Sequence, residues 1–157
     1  MSYRAGKIFR LRSGGFTLLD LIAGLGIFIA LAAIAIPNLG AQLPAYRLNS
    51  AVRQVQSELN RIKSQAISNN AEFRAVFLAP SRYRIEKKIG GAYQPTGENK
   101  VLPDGISYAN GSAALISFTP RGTSSSDTIK LCNSRREGKN IVVFGGTGRL
   151  RIANGVC

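Results

Sequence analysis

The chain of 157 residues carries 21 Lys and Arg against 8 Asp and Glu, a formal net charge of +13, and contains neither His nor Trp. Without His it lacks the usual general base and the commonest metal ligand, and a Ser-His-Asp or Cys-His nucleophile is excluded within this chain. With 45% hydrophobic residues it is no disordered polar tail, and its basic balance favours acidic partners.

In chain order, residues 1–15 hold Arg4, Lys7, Arg10 and Arg12 and no acid, whereas residues 13–46 hold no basic residue and a single acid, Asp20. The apolar stretch 16–36, FTLLDLIAGLGIFIALAAIAI, would form a helix ~31 Å long, enough to cross a bilayer core. It lacks the polar face of a core helix. A secretory signal peptide places small residues after its apolar run, but here Ser13-Gly14-Gly15 precede it. The basic flank predicts that residues 1–12 stay in the cytoplasm and that the remainder is exported, anchored by this segment. Asp20 is the anomaly, because a carboxylate inside an apolar helix costs ~2.5–3.5 kcal/mol on insertion scales. Either it lies near enough to the helix end to reach water, or it neutralises a charge on another molecule, such as an amine freed by cleavage nearby.

The run Gly15-Phe16-Thr17-Leu18-Leu19-Asp20-Leu21-Ile22 behind a short basic leader resembles the processing site of type IV pilins and pseudopilins. That resemblance implies cleavage by a prepilin peptidase between Gly15 and Phe16 and methylation of the new amino terminus. It makes Asp20 the fifth residue of the mature chain, where the family usually has Glu paired with a neighbouring subunit's amino terminus. Asp keeps the charge with one methylene less reach. Pro37 resembles the family's proline near the end of the apolar half-helix, where it removes a helical hydrogen bond and favours a kink or local melting.

Beyond Pro37 and Pro44 the pattern turns amphipathic. Leu48, Val52, Val55, Leu59, Ile62 and Ala66 follow at steps of four and three, one stripe of a helix over about 47–69 that ends near Asn69-Asn70. The stripe is expected under a sheet, with Arg47, Arg53, Gln54, Arg61 and Lys63 mostly off it. From Glu72 the period shortens to two: Phe73, Ala75 and Phe77, then Tyr83 and Ile85, alternate with Arg74, Val76, Arg84 and Glu86. Further strands are predicted at 106–109, 114–119, 128–132, 141–144 and 148–152, punctuated by Gly90-Gly91, Pro103-Asp104-Gly105, Asn110-Gly111 and Gly145-Gly146. Short strands with no helix between them pair antiparallel. The expected fold class is therefore α+β, a long N-terminal helix with a transmembrane first half, packed against an antiparallel β-rich head. The expected division is a leader at 1–15, an apolar helix at 16–46 and a soluble head at 47–157, with its β region at about 72–157.

The carboxy-terminal third is similar to the GspH/FimT family of pseudopilins and minor pilins. The residues concerned are Ile116-Ser117-Phe118-Thr119-Pro120-Arg121-Gly122-Thr123, then Thr128-Ile129-Lys130-Leu131, Ile141-Val142-Val143 and the closing Gly148-Arg149-Leu150-Arg151. Cys132 and Cys157 are the only cysteines. Export to an oxidising compartment permits a disulfide between them, with two free thiols as the alternative. Gly145-Gly146-Thr147-Gly148 lacks the Lys-Ser/Thr ending of a phosphate loop and leads into a strand, so it reads as a hairpin turn. The carboxylates are scattered singly. No catalytic residue, cofactor or metal site emerges.

The basic residues Arg135, Arg136, Lys139, Arg149 and Arg151 crowd the last quarter of the chain. In a strand, Arg149 and Arg151 would share one face about 6.6 Å apart, with Leu150 and Ile152 on the other. Two guanidinium forks so placed suit phosphate, and the resemblance to FimT-type minor pilins implies DNA as one partner. A solvated face, or pairing with an acidic neighbouring subunit, is the other reading. The function expected is that of a minor type IV pilin, a non-enzymatic assembly subunit that meets the prepilin peptidase, other pilin subunits and the inner membrane. Its head would stand in the periplasm before assembly and on a pilus at the cell surface afterwards. A pseudopilin of a type II secretion system and a DNA-capturing pilin are the alternatives.

Overall fold

Apolar positions spaced by three and four residues build one long helix, and positions spaced by two build the strands packed beneath part of it. The computed structural model describes residues 17–157, with residues 34–39 and 41 described by their backbone alone. The residues through Gly40 and those from Ala41 to Cys157 form two separate compact units. Helix α1 spans Leu18–Ser68. Pro37 and Pro44 lie within it and neither ends it.

The first unit is the apolar part of α1. Leu18, Leu19, Leu21, Ile22, Leu25, Ile27, Phe28, Ile29 and Leu31 are all exposed, and these positions surround the helix instead of forming one stripe. Among the described residues no helix is long and apolar enough to cross a membrane. The expected anchor at 16–36 extends beyond the described side chains at both ends.

In the second unit the predicted stripe is the core-facing side of α1: Leu48, Val52, Val55, Leu59, Ile62 and Ala66 are each no more than 3% exposed. The helix closes with Asn70 in the left-handed region at φ 45°. The Ala71 amide donates to the Ala66 carbonyl at 3.2 Å and the Asn70 amide to the Ile67 carbonyl at 3.3 Å, a Schellman motif with Asn where Gly is commoner.

Nine strands follow: β1 Phe73–Leu78, β2 Arg82–Ile89, β3 Ala92–Pro95, β4 Lys100–Val101, β5 Ile106–Tyr108, β6 Leu115–Phe118, β7 Asp127–Asn133, β8 Glu137–Phe144 and β9 Arg149–Val156. Every pairing is antiparallel. They form two sheets, one in the order β3-β2-β1-β6 with β4 also beside β2, the other in the order β5-β7-β8-β9. Phe73, Ala75, Phe77, Tyr83, Ile85, Ile116 and Phe118 from the first sheet and Ile129, Leu131, Ile141 and Val143 from the second join the helix stripe in one core. Each Val, Leu, Ile or Phe side chain withdrawn from water there contributes ~1.5–3 kcal/mol. Strands β3 and β4 were not expected, β8 starts four residues before 141, and β9 runs four residues beyond 152.

Candidate functional site

Asp20 sits in the first turn of α1 and is partnered locally. Its Oδ2 accepts from the Thr17 amide at 3.1 Å and from the Thr17 hydroxyl at 2.8 Å, while Thr17 Oγ1 accepts from the Asp20 amide at 3.3 Å. This is a reciprocal capping box, three residues apart, which satisfies amides that a helix start leaves without partners. A carboxylate suits that position for a second reason, the positive end of the helix dipole. Gly15 and Phe16, the expected processing site, lie outside the described residues.

The five basic candidates do not form one patch. Register places Arg149, Arg151, Ala153 and Gly155 of β9 on the same sheet face as Phe144, Val142, Asn140 and Gly138 of β8, opposite the core. Arg149 and Arg151 are exposed there, and Leu150 and Ile152 pack on the core, as the alternation predicts. Lys139 pairs with Leu131 and Asn154, so it belongs to the other face, and the grouping of Lys139 with the two arginines is corrected by a one-residue difference in parity. Arg135 and Arg136 occupy the β7–β8 turn, at the end of β8 away from Arg149; five residues of strand, roughly 17 Å, separate Glu137 from the Val142 that faces Arg151. The residue missed is Lys130. It pairs with Asn140, which pairs with Ala153, so it shares the outward face with Arg149 and Arg151. Alternation in Thr128-Ile129-Lys130-Leu131 signals an outward Lys, but only register shows which strand lies beside it. No carboxylate belongs to this face of β7, β8 and β9.

The turn carrying Arg136 is closed by Asn133, itself buried. Its Oδ1 accepts from the Arg135 amide at 3.0 Å and the Glu137 amide at 2.9 Å, and its Nδ2 donates to Glu137 Oε2 at 2.6 Å. The β8–β9 turn is fixed from the helix. Lys63 Nζ donates to the Thr147 carbonyl at 2.9 Å and to the Gly148 carbonyl at 3.2 Å. Gly148 has φ +58°, and a Cβ there would stand 2.3 Å from the Gly122 carbonyl oxygen. The glycine ahead of Arg149 and that of Pro120-Arg121-Gly122 are thus in direct contact, which gives both motif glycines a steric reason.

At the other end of β9 the chain leaves its strand. Cys132 pairs with Gly138 and Gly138 with Gly155, so β8 separates β7 from β9. Beyond Val156 the chain turns across the end of β8, and Cys157 forms a disulfide with Cys132 at a Cα separation of 5.7 Å. A Cβ on Gly138 would stand only 3.0 Å from backbone atoms of Gly155 and Val156, so glycine permits the crossing.

One polar cluster was not legible beforehand. Glu86 is 2% exposed although it lies on the outer face of the first sheet. Arg74 Nε and Arg84 Nε each stand 2.6 Å from its carboxylate, and the Arg74 guanidinium lies 3.7 Å from the centre of the Tyr93 ring. Tyr93 donates to Glu72, which also pairs with Lys88 at 3.1 Å. Partial burial and that carboxylate push the Tyr93 hydroxyl up to about 12, and the bond from Tyr93 holds Glu72 below its ordinary value. Every charge here has a partner, which suits a structural cluster better than a reactive one. Among the described residues no group of cysteines and carboxylates is placed to hold a metal ion.

The chain, whose second unit packs a helix on two small antiparallel sheets, is similar to solved structures. The minor pseudopilin EpsH from the type 2 secretion system of Vibrio cholerae matches with TM-score 0.57 at 12% identity, over 69% of this chain and 97% of that one. The type IV minor pilin FimU of Pseudomonas aeruginosa matches with TM-score 0.56 at 16% identity, over 69% of this chain and 90% of that one. A search of curated proteins found no match. The family described as Type II transport protein GspH matches residues 51–148, most of the head from the helix stripe to Gly148. The chain belongs to the GspH family, and its architecture is that of a minor pilin or pseudopilin.

Proposed function

We propose that the chain is a minor type IV pilin, made as a precursor with a leader at 1–15, cut between Gly15 and Phe16, and held in the inner membrane by residues 16–36. The head, residues 47–157, stands in the periplasm until the subunit joins other pilin subunits in a pilus that reaches the cell surface. The observation that carries this reading is the first unit of α1, where large apolar side chains are exposed on all sides. Such a helix is stable only when lipid or other apolar helices surround it. Asp20 then has two roles, a local cap for Thr17 and a charge that answers a neighbour's amino terminus.

Variants of Asp20 separate those roles. Asp20→Asn keeps a capping side chain and removes the charge, while Asp20→Glu keeps both. The Asn variant should be processed and reach the membrane yet fail to enter filaments, and the Glu variant should assemble. Equal incorporation of the Asn variant would show that the carboxylate only caps. Mass spectrometry of assembled protein should begin at Phe16, and an intact leader in filaments would overturn the processing step. The family description also fits a type II secretion pseudopilin. Sheared surface filaments that contain the chain support the pilus; loss of secretion on deletion, with the chain confined to the envelope, supports the pseudopilus. DNA capture rests on Arg149, Arg151 and Lys130 sharing a face without a carboxylate. A gel shift whose affinity falls with salt tests it.

A further inference from the structure

The long unpaired edge of the second sheet is the feature that assembly through α1 leaves unexplained. Strand β9 has eight residues, and among the described residues it pairs with β8 alone. An antiparallel edge strand turns the N–H and C=O groups of alternate residues away from its neighbour, here about four residues' worth. The other edges are short or blunted: β3 has four residues and ends in Pro95, β4 has two, β5 has three, and β6 is met by Ser124 and Ser125. Natural sheets manage such edges with proline, bulges, brevity or charge, and of these β9 uses charge alone, in Arg149 and Arg151.

Both ends of β9 are tied. Lys63 holds the turn that precedes it through two carbonyls, and the Cys132–Cys157 disulfide holds the residue that follows it. An edge fixed in this way loses little freedom when a strand joins it. Its chemistry is one-sided. Residues 149–157 include Arg149 and Arg151 and no acid, and Lys130 adds a third cation to the same face. Two copies pairing through β9 would offer no carboxylate to Arg149 or Arg151, whereas an acidic strand would place opposite charges beside them.

We propose that β9 receives an extended acidic segment of a neighbouring subunit, added as a fifth strand, with alternate carboxylates beside Arg149 and Arg151. The main chain supplies affinity and the arginines supply choice of partner. This inference rests on the reading of the chain as a subunit among others. It does not rest on Asp20, whose variants test that reading separately.

The probe is a fluorescent synthetic octapeptide of alternating Glu and Val, titrated against the full-length chain in non-ionic detergent. Two counterparts accompany it, one with Lys for Glu and one with Pro for each Val, the latter equal in charge but unable to form strand bonds. The Glu-Val peptide should bind at least tenfold more tightly than either. Hydrogen exchange should slow over residues 149–156 and stay unchanged over β3. Arg149→Gln with Arg151→Gln should weaken binding at least tenfold while exchange in α1 is unaltered. Equal binding of the proline peptide, or protection outside β9, would reduce the effect to general electrostatics and overturn the proposal. So would dimers of the free chain that bury β9, or duplex DNA binding that needs both arginines while the peptide does not bind. The proline and exchange comparisons use the native chain, so the outcome stands even if the double variant does not fold.

Discussion

Gly148→Ala tests the packing that aims Arg149 and Arg151. Alanine at φ +58° costs ~1–2 kcal/mol for the left-handed conformation alone. Its Cβ would also lie 2.3 Å from the Gly122 carbonyl oxygen, a main-chain atom with little room to retreat, because Gly122 at φ +78° is itself packed against Ile67. Forced overpacking of this kind costs ~1–3 kcal/mol. Together these effects predict a loss of roughly 2–5 kcal/mol, or on the order of 10 °C in Tm for a unit the size of residues 41–157. Gly146→Ala is the matched control two residues away, since its Cβ meets nothing within 4 Å. It should leave stability within about 1 kcal/mol. Near-ultraviolet circular dichroism of the full-length chain in detergent is the right assay. There is no Trp, and the signal comes largely from aromatic side chains of the head such as buried Tyr83, whereas far-ultraviolet ellipticity would be dominated by α1. A Gly148→Ala protein that melts within about 2 °C of the parent would refute the contact and the steric reason offered for the motif.

Reduction of the Cys132–Cys157 bridge opens a loop of sequence separation 25, which the chain-entropy model values at about 3.5 kcal/mol; guanidinium titrations with and without reductant should differ by that order. Tyr108→Phe should be neutral or stabilising by up to about 1 kcal/mol, because the Tyr108 hydroxyl is buried without a partner; a loss beyond ~1 kcal/mol would mean that it makes a bond. Acid should weaken the head. Glu58, held by Arg61 and also by Lys100, and Glu72, held by Tyr93 and also by Lys88, both lie below their ordinary value of 4.5. Their contributions are complete above that value and disappear as pH falls through the lower folded values. Chemical denaturation at several pH values should therefore show a decline below about pH 4.5 that is shallower in Glu58→Gln with Glu72→Gln; an unchanged decline would assign it to other carboxylates.

Legibility in the sequence followed the range of the interactions concerned. The core stripe from Leu48 to Ala66 was readable because helix periodicity is local, and its end was readable because Asn tolerates the conformation found at Asn70. Strands with alternating Phe, Tyr and Ile were readable for the same reason. The short β3, Ala92–Pro95, and the two-residue β4 were not, because neither buries an apolar face and each exists only through pairing with β2. Likewise, alternation assigns each side chain to one of two faces but does not name the neighbouring strand. The split into two sheets was therefore hidden.

The basic residues show that limit most clearly, with consequences for function. In sequence, Arg135, Arg136, Lys139, Arg149 and Arg151 form one cationic segment, and Lys130 stands apart from it. Register reverses this: Lys130 lies two strands from Arg151 on one face, Lys139 is on the other face, and Arg135 and Arg136 are at the far end of β8. A diffuse attraction to an anion would sum all of these charges and discriminate little among partners. The outward set is different, because two of its three cations, Arg149 and Arg151, lie on an open edge strand whose ends are tied by Lys63 and the disulfide. A partner that matches both the charges and the backbone gains from the two together, and one that matches only the charges does not. On the proposed reading, main-chain hydrogen bonds open to any residue but proline supply the affinity on this face, and the arginines decide which strand is held there.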